Sequence, residues 1–261
     1  MITSFISWNA NPEIFGIGSF SIRWYGLLFA MSFAVGYIIM LQFFKKENLP
    51  DKLLDKLSIY MLVATVIGAR LGHVLFYEPQ NYLDNPLAIL KIWEGGLASH
   101  GAAIGILAAL YFFARTSKKT YFWTLDRIVI VVALAGFFIR MGNLMNSEIY
   151  GRVTDLPWGF VFLRAGEELP RHPTQIYEAF CYLAIFIYLL SYYYKHQGKP
   201  REGYMFGFFL VTLFAARFFL EFLKEPQVAF ESSMTLNMGQ LLSIPFVLAG
   251  AYILLRKKPV T

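Results

Sequence analysis

Three arginines, Arg70, Arg140 and Arg217, each stand five or six residues before the end of a long apolar run, and His100 stands four residues after the start of another. A guanidinium offers five donors in a planar fork that matches phosphate or carboxylate. An imidazole titrates near neutrality and can take or return a proton. Charge inside an apolar span is costly and marks function or pairing. Tyr25, Gln175, Glu178, Glu221 and Gln240 fall at the same ends of their runs, and the opposite ends are nearly unbroken Phe, Leu, Ile, Val and Ala. This one-sidedness predicts a single convergent site that opens towards the outer leaflet. The alternative is a set of neutralising ion pairs, Arg140 with Glu148, Arg70 with Glu178, and Arg217 with Glu221 at i, i+4.

Three segments join such side chains to flexible backbone. In Gly95-Gly96-Leu97-Ala98-Ser99-His100-Gly101, glycines and the following Ala102 and Ala103 let a helix or ligand approach closely. His100 there reads as general base or acid, or as a hydrogen-bonding bridge between helices. Arg140-Met141-Gly142-Asn143-Leu144-Met145-Asn146-Ser147-Glu148-Ile149-Tyr150-Gly151-Arg152 is too polar to continue its span. It offers a guanidinium for phosphate and amides for hydroxyls, although Asn143 and Asn146 also suit turn capping. In Arg171-His172-Pro173-Thr174-Gln175-Ile176-Tyr177-Glu178, Pro173 begins a helix, and Arg171 and His172 suit membrane-surface anchoring or catalysis equally. His73 reads as structural, and Lys91 and Glu94 as solvated loop charges. The histidines show no metal-ligand spacing.

The elements that must position these groups follow from composition. The chain has 261 residues, 57% hydrophobic and only 15% charged, too apolar for a water-soluble surface. Apolar stretches of about 20 residues, the length that crosses a bilayer, are read at 24–43, 57–76, 96–113, 128–145, 176–194, 205–222 and 238–255. Lys45, Lys46, Lys52 and Lys56, then Arg115, Lys118, Lys119 and Arg127, then Lys195, Lys199 and Arg201, then Arg256, Lys257 and Lys258 all fall in alternate loops. By the positive-inside rule that side is cytoplasmic. The expected fold is therefore all-α: a polytopic integral membrane protein of seven transmembrane helices, amino terminus outside and carboxyl terminus cytoplasmic. Residues 1–261 are expected to form a single membrane domain, with outward-facing loops at about 77–95, 146–175 and 223–237. Residues 1–22 lack the basic start of a cleavable signal, so the first span is expected to direct insertion. The lone Cys181 excludes an internal disulfide and reads as an inert thiol. Most basic residues fall in short loops between apolar runs and not on a folded basic face, which argues against a nucleic-acid partner.

These motifs resemble the prolipoprotein diacylglyceryl transferase family. The likeness runs from Arg23-Trp24-Tyr25-Gly26 to Asn237-Met238-Gly239-Gln240-Leu241-Leu242-Ser243-Ile244-Pro245. The 140–151 stretch is similar to the family's signature loop, and Gly95-Gly96-x-x-x-His100-Gly101 to its essential histidine segment. Arg171-His172-Pro173-Thr174-Gln175-x-Tyr177-Glu178 is similar to a third block, and Arg217-x-x-x-Glu221 with Glu225-Pro226 agrees too. Leu213 departs from the pattern, because some members carry a tyrosine four residues before the sixth-span arginine.

The resemblance implies a multi-pass enzyme of the bacterial cytoplasmic (inner) membrane, with its site towards the outer leaflet. It implies transfer of the diacylglyceryl group from phosphatidylglycerol to the lipobox cysteine thiol of a prolipoprotein signal peptide, with release of glycerol 1-phosphate. The partners are then phosphatidylglycerol, prolipoprotein signal peptides and the lipid bilayer, with no metal and no cofactor. On that chemistry, His100 is expected to take or relay the thiol proton, and Arg140 and Arg217 to hold the phosphate. Glu148 and Glu221 are expected to orient those arginines. Asn143, Asn146 and Gly151 are assigned to lipid binding or loop shape, and Tyr25 to a hydrogen bond at the lipid phosphate. A transporter of anionic lipid would need polar residues continuing to the inner side, and a scaffold would need no titratable histidine.

Overall fold

The computed structural model describes residues 5–17, 20–92, 95–225 and 234–256. Outside them lie Met1–Ser4, Gly18, Trp93 and Glu94, residues 226–233, including Pro226, and Lys257 and Lys258. The protein is mainly helical. Among the described residues six helices are long and apolar enough to cross a membrane: α1 (Trp24–Lys46), α2 (Asp51–Phe76), α5 (Tyr121–Met145), α6 (Thr174–Lys195), α7 (Tyr204–Leu220, continued by a 3-10 turn at Glu221–Leu223) and α8 (Met238–Leu255). A short helix α3 (Pro79–Asp84) follows α2, and α4 (Ser99–Ser117) covers the expected third span. With Ser99 and His100 at one end and Arg115, Thr116 and Ser117 at the other, α4 has a shorter apolar stretch and is not one of the six.

Four short strands appear where the sequence reading has only loops: β1 (Ile6–Trp8), β2 (Glu13–Ile17), β3 (Phe20–Arg23) and β4 (Phe160–Phe162). Three to five residues are too few to show a clear alternation, so periodicity does not reveal them.

The chain divides into two compact units, residues 1–39 with 126–260, and residues 40–125. In the first unit β2 and β3 form an antiparallel hairpin that runs straight into α1; Trp24 N donates to Pro12 O at 3.0 Å, which fixes the start of that helix and hence Tyr25. β1 pairs in parallel with β4, and the Trp8 indole donates to the Leu144 carbonyl at the end of α5 (3.0 Å). Leu144, Phe160 and Phe162 are buried together there, with Trp8, Met141, Tyr150 and Ile176 against them. The apolar cluster pins the 146–173 segment over the end of α5. Gly207 of α7 and Gly250 of α8 let those backbones touch, since a Cβ on Gly250 would stand 2.8 Å from the Gly207 carbonyl oxygen.

In the second unit α2 and α4 meet through two small-residue stripes, Gly68 and Gly72 against Gly101 and Gly105. A Cβ on Gly105 would come within 2.6 Å of the Ala64 carbonyl oxygen, and one on Gly72 within 2.7 Å of the Gly101 Cα. Close backbone approach is how helices associate where lipid removes the hydrophobic drive.

Candidate active site

In the first unit, the end of α5, the start of α6 and the end of α7 bring oppositely charged side chains together. Glu178 on α6, 1% exposed, lies between Arg140 and Lys224. Arg140 Nε is 2.5 Å from Glu178 Oε2, an ion pair rather than an aligned hydrogen bond. Lys224 Nζ donates to Glu178 Oε1 at 2.7 Å and stands 3.5 Å from Glu221 Oε2. Lys224 itself is 3% exposed. A buried charge is tolerated when it is paired in this way.

The pairing differs from the one expected. Arg140 is matched with Glu178 instead of Glu148, and among the described residues Arg217 makes no hydrogen bond or ion pair, with Glu221 or any other side chain. Glu148 reaches Arg140 only through an amide: Arg140 Nη1 donates to Asn143 Oδ1 (3.1 Å), and Asn143 Nδ2 to Glu148 Oε1 (2.8 Å). Asn146 Nδ2 adds a second donor to that oxygen at 3.2 Å. Tyr25 packs over Gly142, where a Cβ would meet its ring at 2.8 Å, and its hydroxyl lies in the fields of Glu148 and Arg140.

The turn that presents Glu148 is strained. Ser147 and Ile149 have φ of 54° and 59°, a left-handed conformation that a β-branched residue strongly avoids. The first turn of α6 holds it: Thr174 Oγ1 donates to the Ile149 carbonyl (2.9 Å), and Gln175 Nε2 to that of Glu148 (2.6 Å). Asn146 Oδ1, Ser147 Oγ and Gln175 Oε1 are acceptors with no partner among the described residues. Buried acceptors of this kind suit the hydroxyls of a bound molecule.

Gly151 lies where three backbone segments meet. Its N–H donates to the His172 carbonyl (2.8 Å), and a Cβ would fall 2.5 Å from the Leu223 carbonyl oxygen. Close packing thus accounts for glycine at this position. Arg171 donates to Glu167 (2.6 Å) and Glu225 (2.5 Å) and covers the Tyr150 ring, so it ties the 150–171 segment to the chain after α7. The Tyr150 hydroxyl donates to Glu167 at 2.7 Å; burial and that carboxylate push the phenol up to about 12. Burial works against the Glu167 carboxylate, yet hydrogen bonds from Tyr150 and Arg171 hold it below its ordinary value. Burial lowers the His172 imidazole. Gln240, expected at the site, instead caps α8 in a reciprocal pair with Asn237 (2.9 and 3.1 Å).

The second unit carries His100 and Arg70. His100 is exposed at the start of α4, stacked on Tyr77 (5.7 Å between ring centres) and edge-on to Phe76 (5.6 Å). Arg70 is 5% exposed and does not have the free fork expected of an anion ligand. Nε donates to Ile89 O (2.9 Å), Nη1 to Gly95 O (2.6 Å) and Gly96 O (3.1 Å), and Nη2 to Ala88 O (2.6 Å) and Lys91 O (3.4 Å). All five donors therefore go to carbonyls of the 88–96 segment. Gly95 and Gly96 have φ of 91° and 70°, and a Cβ on Gly96 would strike Arg70 Nη1 at 2.7 Å, so glycine is required there. Arg70 is a loop anchor. His73 stacks on Tyr77 and lies 3.8 Å from Glu78, in keeping with a structural reading.

Two side chains of the first-unit cluster are absent from the sequence-derived set. Lys224 was detectable as a basic residue three positions after Glu221. Tyr182 carried no signal beyond being one tyrosine among 16; its buried hydroxyl lies within electrostatic reach of both Arg140 and Arg217, and Gly136 makes room for its ring. Among the described residues no three His, Cys, Asp or Glu side chains are grouped to hold a metal ion.

The profile of the family described as prolipoprotein diacylglyceryl transferase matches residues 12–256. A phosphatidylglycerol–prolipoprotein diacylglyceryl transferase of Tolumonas auensis is 50% identical over 249 residues, covering 95% of this chain and 96% of its own. Proteins of the same name from Chloroherpeton thalassium and Porphyromonas gingivalis are each 45% identical, covering 97% and 100% of this chain and 94% and 98% of theirs. The chain belongs to the prolipoprotein diacylglyceryl transferase family.

Proposed function

We propose that Arg140 and Arg217 hold the phosphate of phosphatidylglycerol while the lipobox cysteine of a prolipoprotein takes its diacylglyceryl group. The activity is that of a transferase, the first step of lipoprotein maturation. The observation that carries the site assignment is Arg217: a half-buried guanidinium beside a buried ion cluster, with its donors unfilled among the described residues. A cation left unpaired in an apolar setting calls for an anion.

The cysteine sulfur attacks the glyceryl carbon bonded to the phosphate oxygen. The C–S bond forms, the C–O bond breaks, and glycerol 1-phosphate leaves with the electron pair. Two charges set the barrier, the thiol proton and the departing phosphate. His100, exposed and held by Tyr77, accepts or relays the proton. Arg140, fixed through Glu178 and through Asn143 to Glu148, and Arg217 stabilise the leaving group. The unpartnered oxygens of Asn146, Ser147 and Gln175 accept from the glycerol hydroxyls, and Tyr25 hydrogen-bonds at the phosphate. Gly151 supports the loop by its close packing. Glu221 acts within the Lys224 pair.

In the bilayer α4 supplies a seventh span, giving one multi-pass domain of the bacterial inner membrane with its amino terminus outside. The segments 77–95, 146–175 and 223–237 then face outwards, and the site opens to the outer leaflet, where lipid and signal peptide both arrive laterally. This orientation rests on the placement of Lys and Arg in alternate loops.

The test is transfer of labelled diacylglyceryl from phosphatidylglycerol to a synthetic lipobox peptide by the purified protein, with glycerol phosphate release followed in parallel. Equal amounts of the two products are expected. Neither product from a folded, lipid-supplied sample would overturn the assignment.

A further inference from the structure

Arg217 and Glu221 are spaced i, i+4, the separation at which an arginine and a glutamate on one helix face normally pair. Here they do not: Arg217 is unpaired among the described residues, and Glu221 is engaged elsewhere. The reason lies in the backbone. α7 ends at Leu220 and tightens into a 3-10 turn over Glu221–Leu223. In a 3-10 turn side chains three apart eclipse one another, so Lys224 comes over Glu221, and its Nζ stands 3.5 Å from Glu221 Oε2. The same ammonium is anchored from α6 by Glu178 Oε1 at 2.7 Å, so it is held in place independently of Glu221.

A second contact fixes the other side of that carboxylate. Glu221 lies against the first turn of α8, where a Cβ on Gly239 would meet its Cδ at 2.8 Å and both oxygens at 3.0 Å. A Cβ there would push the carboxylate aside, and the amino-terminal end of a helix favours a negative charge.

From this geometry we infer that Lys224 and Gly239 are positioning residues that keep Glu221 off Arg217, so that Arg217 retains its donors for the anionic lipid headgroup. The inference rests on the reading of Arg217 as a phosphate ligand. Without Lys224, Glu221 is left with Arg140, within whose electrostatic reach it already lies, and with Arg217 one turn back on its own helix, and at Arg217 the headgroup must then compete with an intramolecular carboxylate.

The experiment is equilibrium binding of fluorescent phosphatidylglycerol to the full-length purified protein in detergent micelles, with fluorescent phosphatidylcholine as the uncharged-headgroup control. Binding is independent of turnover, so it separates headgroup capture from catalysis. Lys224→Met is expected to weaken phosphatidylglycerol binding about tenfold, the worth of one charge-assisted contact, and to leave phosphatidylcholine binding unchanged. Lys224→Arg is expected to bind like the wild type. The double variant Lys224→Met with Glu221→Gln is expected to recover to within about threefold, because the competing carboxylate is gone.

Should Lys224→Met fail to yield folded protein, Gly239→Ala with and without Glu221→Gln tests the same carboxylate from its other side, with the same direction of loss and recovery. Unchanged binding in Lys224→Met, or a double variant as weak as the single, overturns the positioning role. Arg217→Gln separates the two levels. If it binds phosphatidylglycerol as the wild type does, the phosphate reading itself is wrong. If it binds weakly while the Lys224 and Gly239 variants do not, only the positioning role falls.

Discussion

Arg70 and Arg217 occupy matching places in the sequence, each five or six residues before the end of an apolar run, yet their surroundings are opposite. Arg70 donates all five N–H groups to carbonyls between Ala88 and Gly96, whereas Arg217 has no hydrogen bond or ion pair among the described residues. A guanidinium whose donors are filled by backbone can anchor a loop but has nothing left for a phosphate. One that sits beside an ion cluster neutralised by other groups keeps its donors for a ligand. Position along an apolar span therefore does not tell these two arginines apart; the number of unfilled donors does.

Replacing groups on either side of this contrast should produce different kinds of damage. Arg140→Ala removes the proposed phosphate ligand and the partner of Glu178 together, and transfer should fall about a thousandfold or more with the protein still inserted; activity per inserted molecule in the peptide assay measures it. His100→Gln keeps the size of the side chain but not its basicity, and transfer should fall about a hundredfold. Unchanged transfer by His100→Gln would contradict the proposed proton-transfer role of His100.

Arg70→Met belongs to the other class. Five hydrogen bonds from a buried guanidinium are lost at once, so stability should drop by about 3 kcal/mol or more, seen as faster proteolysis within 86–98. Arg70→Lys should recover only part of it, since an ammonium lacks the planar fork. The smallest effects belong to the 150–171 segment. Tyr150→Phe should cost about 1 kcal/mol through the lost bond to Glu167. Because the Glu167 carboxylate is lowered in the folded protein, its contribution is complete above its ordinary value of 4.5 and fades as pH falls through the folded-state value. Proteolysis of the 150–171 segment should thus rise on acidification in the wild type and change less with pH in Glu167→Gln.

The membrane class and most of the spans were legible because long apolar runs and alternating Lys and Arg loops are properties of the chain itself. The third span is marginal for the same reason, since polar residues occupy both ends of α4. What the sequence did not show depends on contacts between distant residues. Arg140 pairs with Glu178 rather than Glu148 because α6 and α5 pack at that level. Lys224 joins the cluster only because the chain tightens into a 3-10 turn after Leu220. Ile149 in a left-handed conformation runs against its own preference, so no local rule could anticipate the turn that presents Glu148. The motif glycines were visible, but why each is glycine was not. Gly96 makes room for Arg70, Gly142 for Tyr25, and Gly239 for the Glu221 carboxylate.

The contrast between the two arginines is tested most directly by the dependence of transfer rate on the mole fraction of phosphatidylglycerol, compared between Arg217→Gln and Arg70→Lys in equal amounts of folded protein. Arg217→Gln should need about ten times more lipid for half-maximal rate, the cost of one charge-assisted contact, and Arg70→Lys should need no more than the wild type. An equal rise in both, or a rise in Arg70→Lys alone, would contradict the assignment of the free guanidinium to the phosphate.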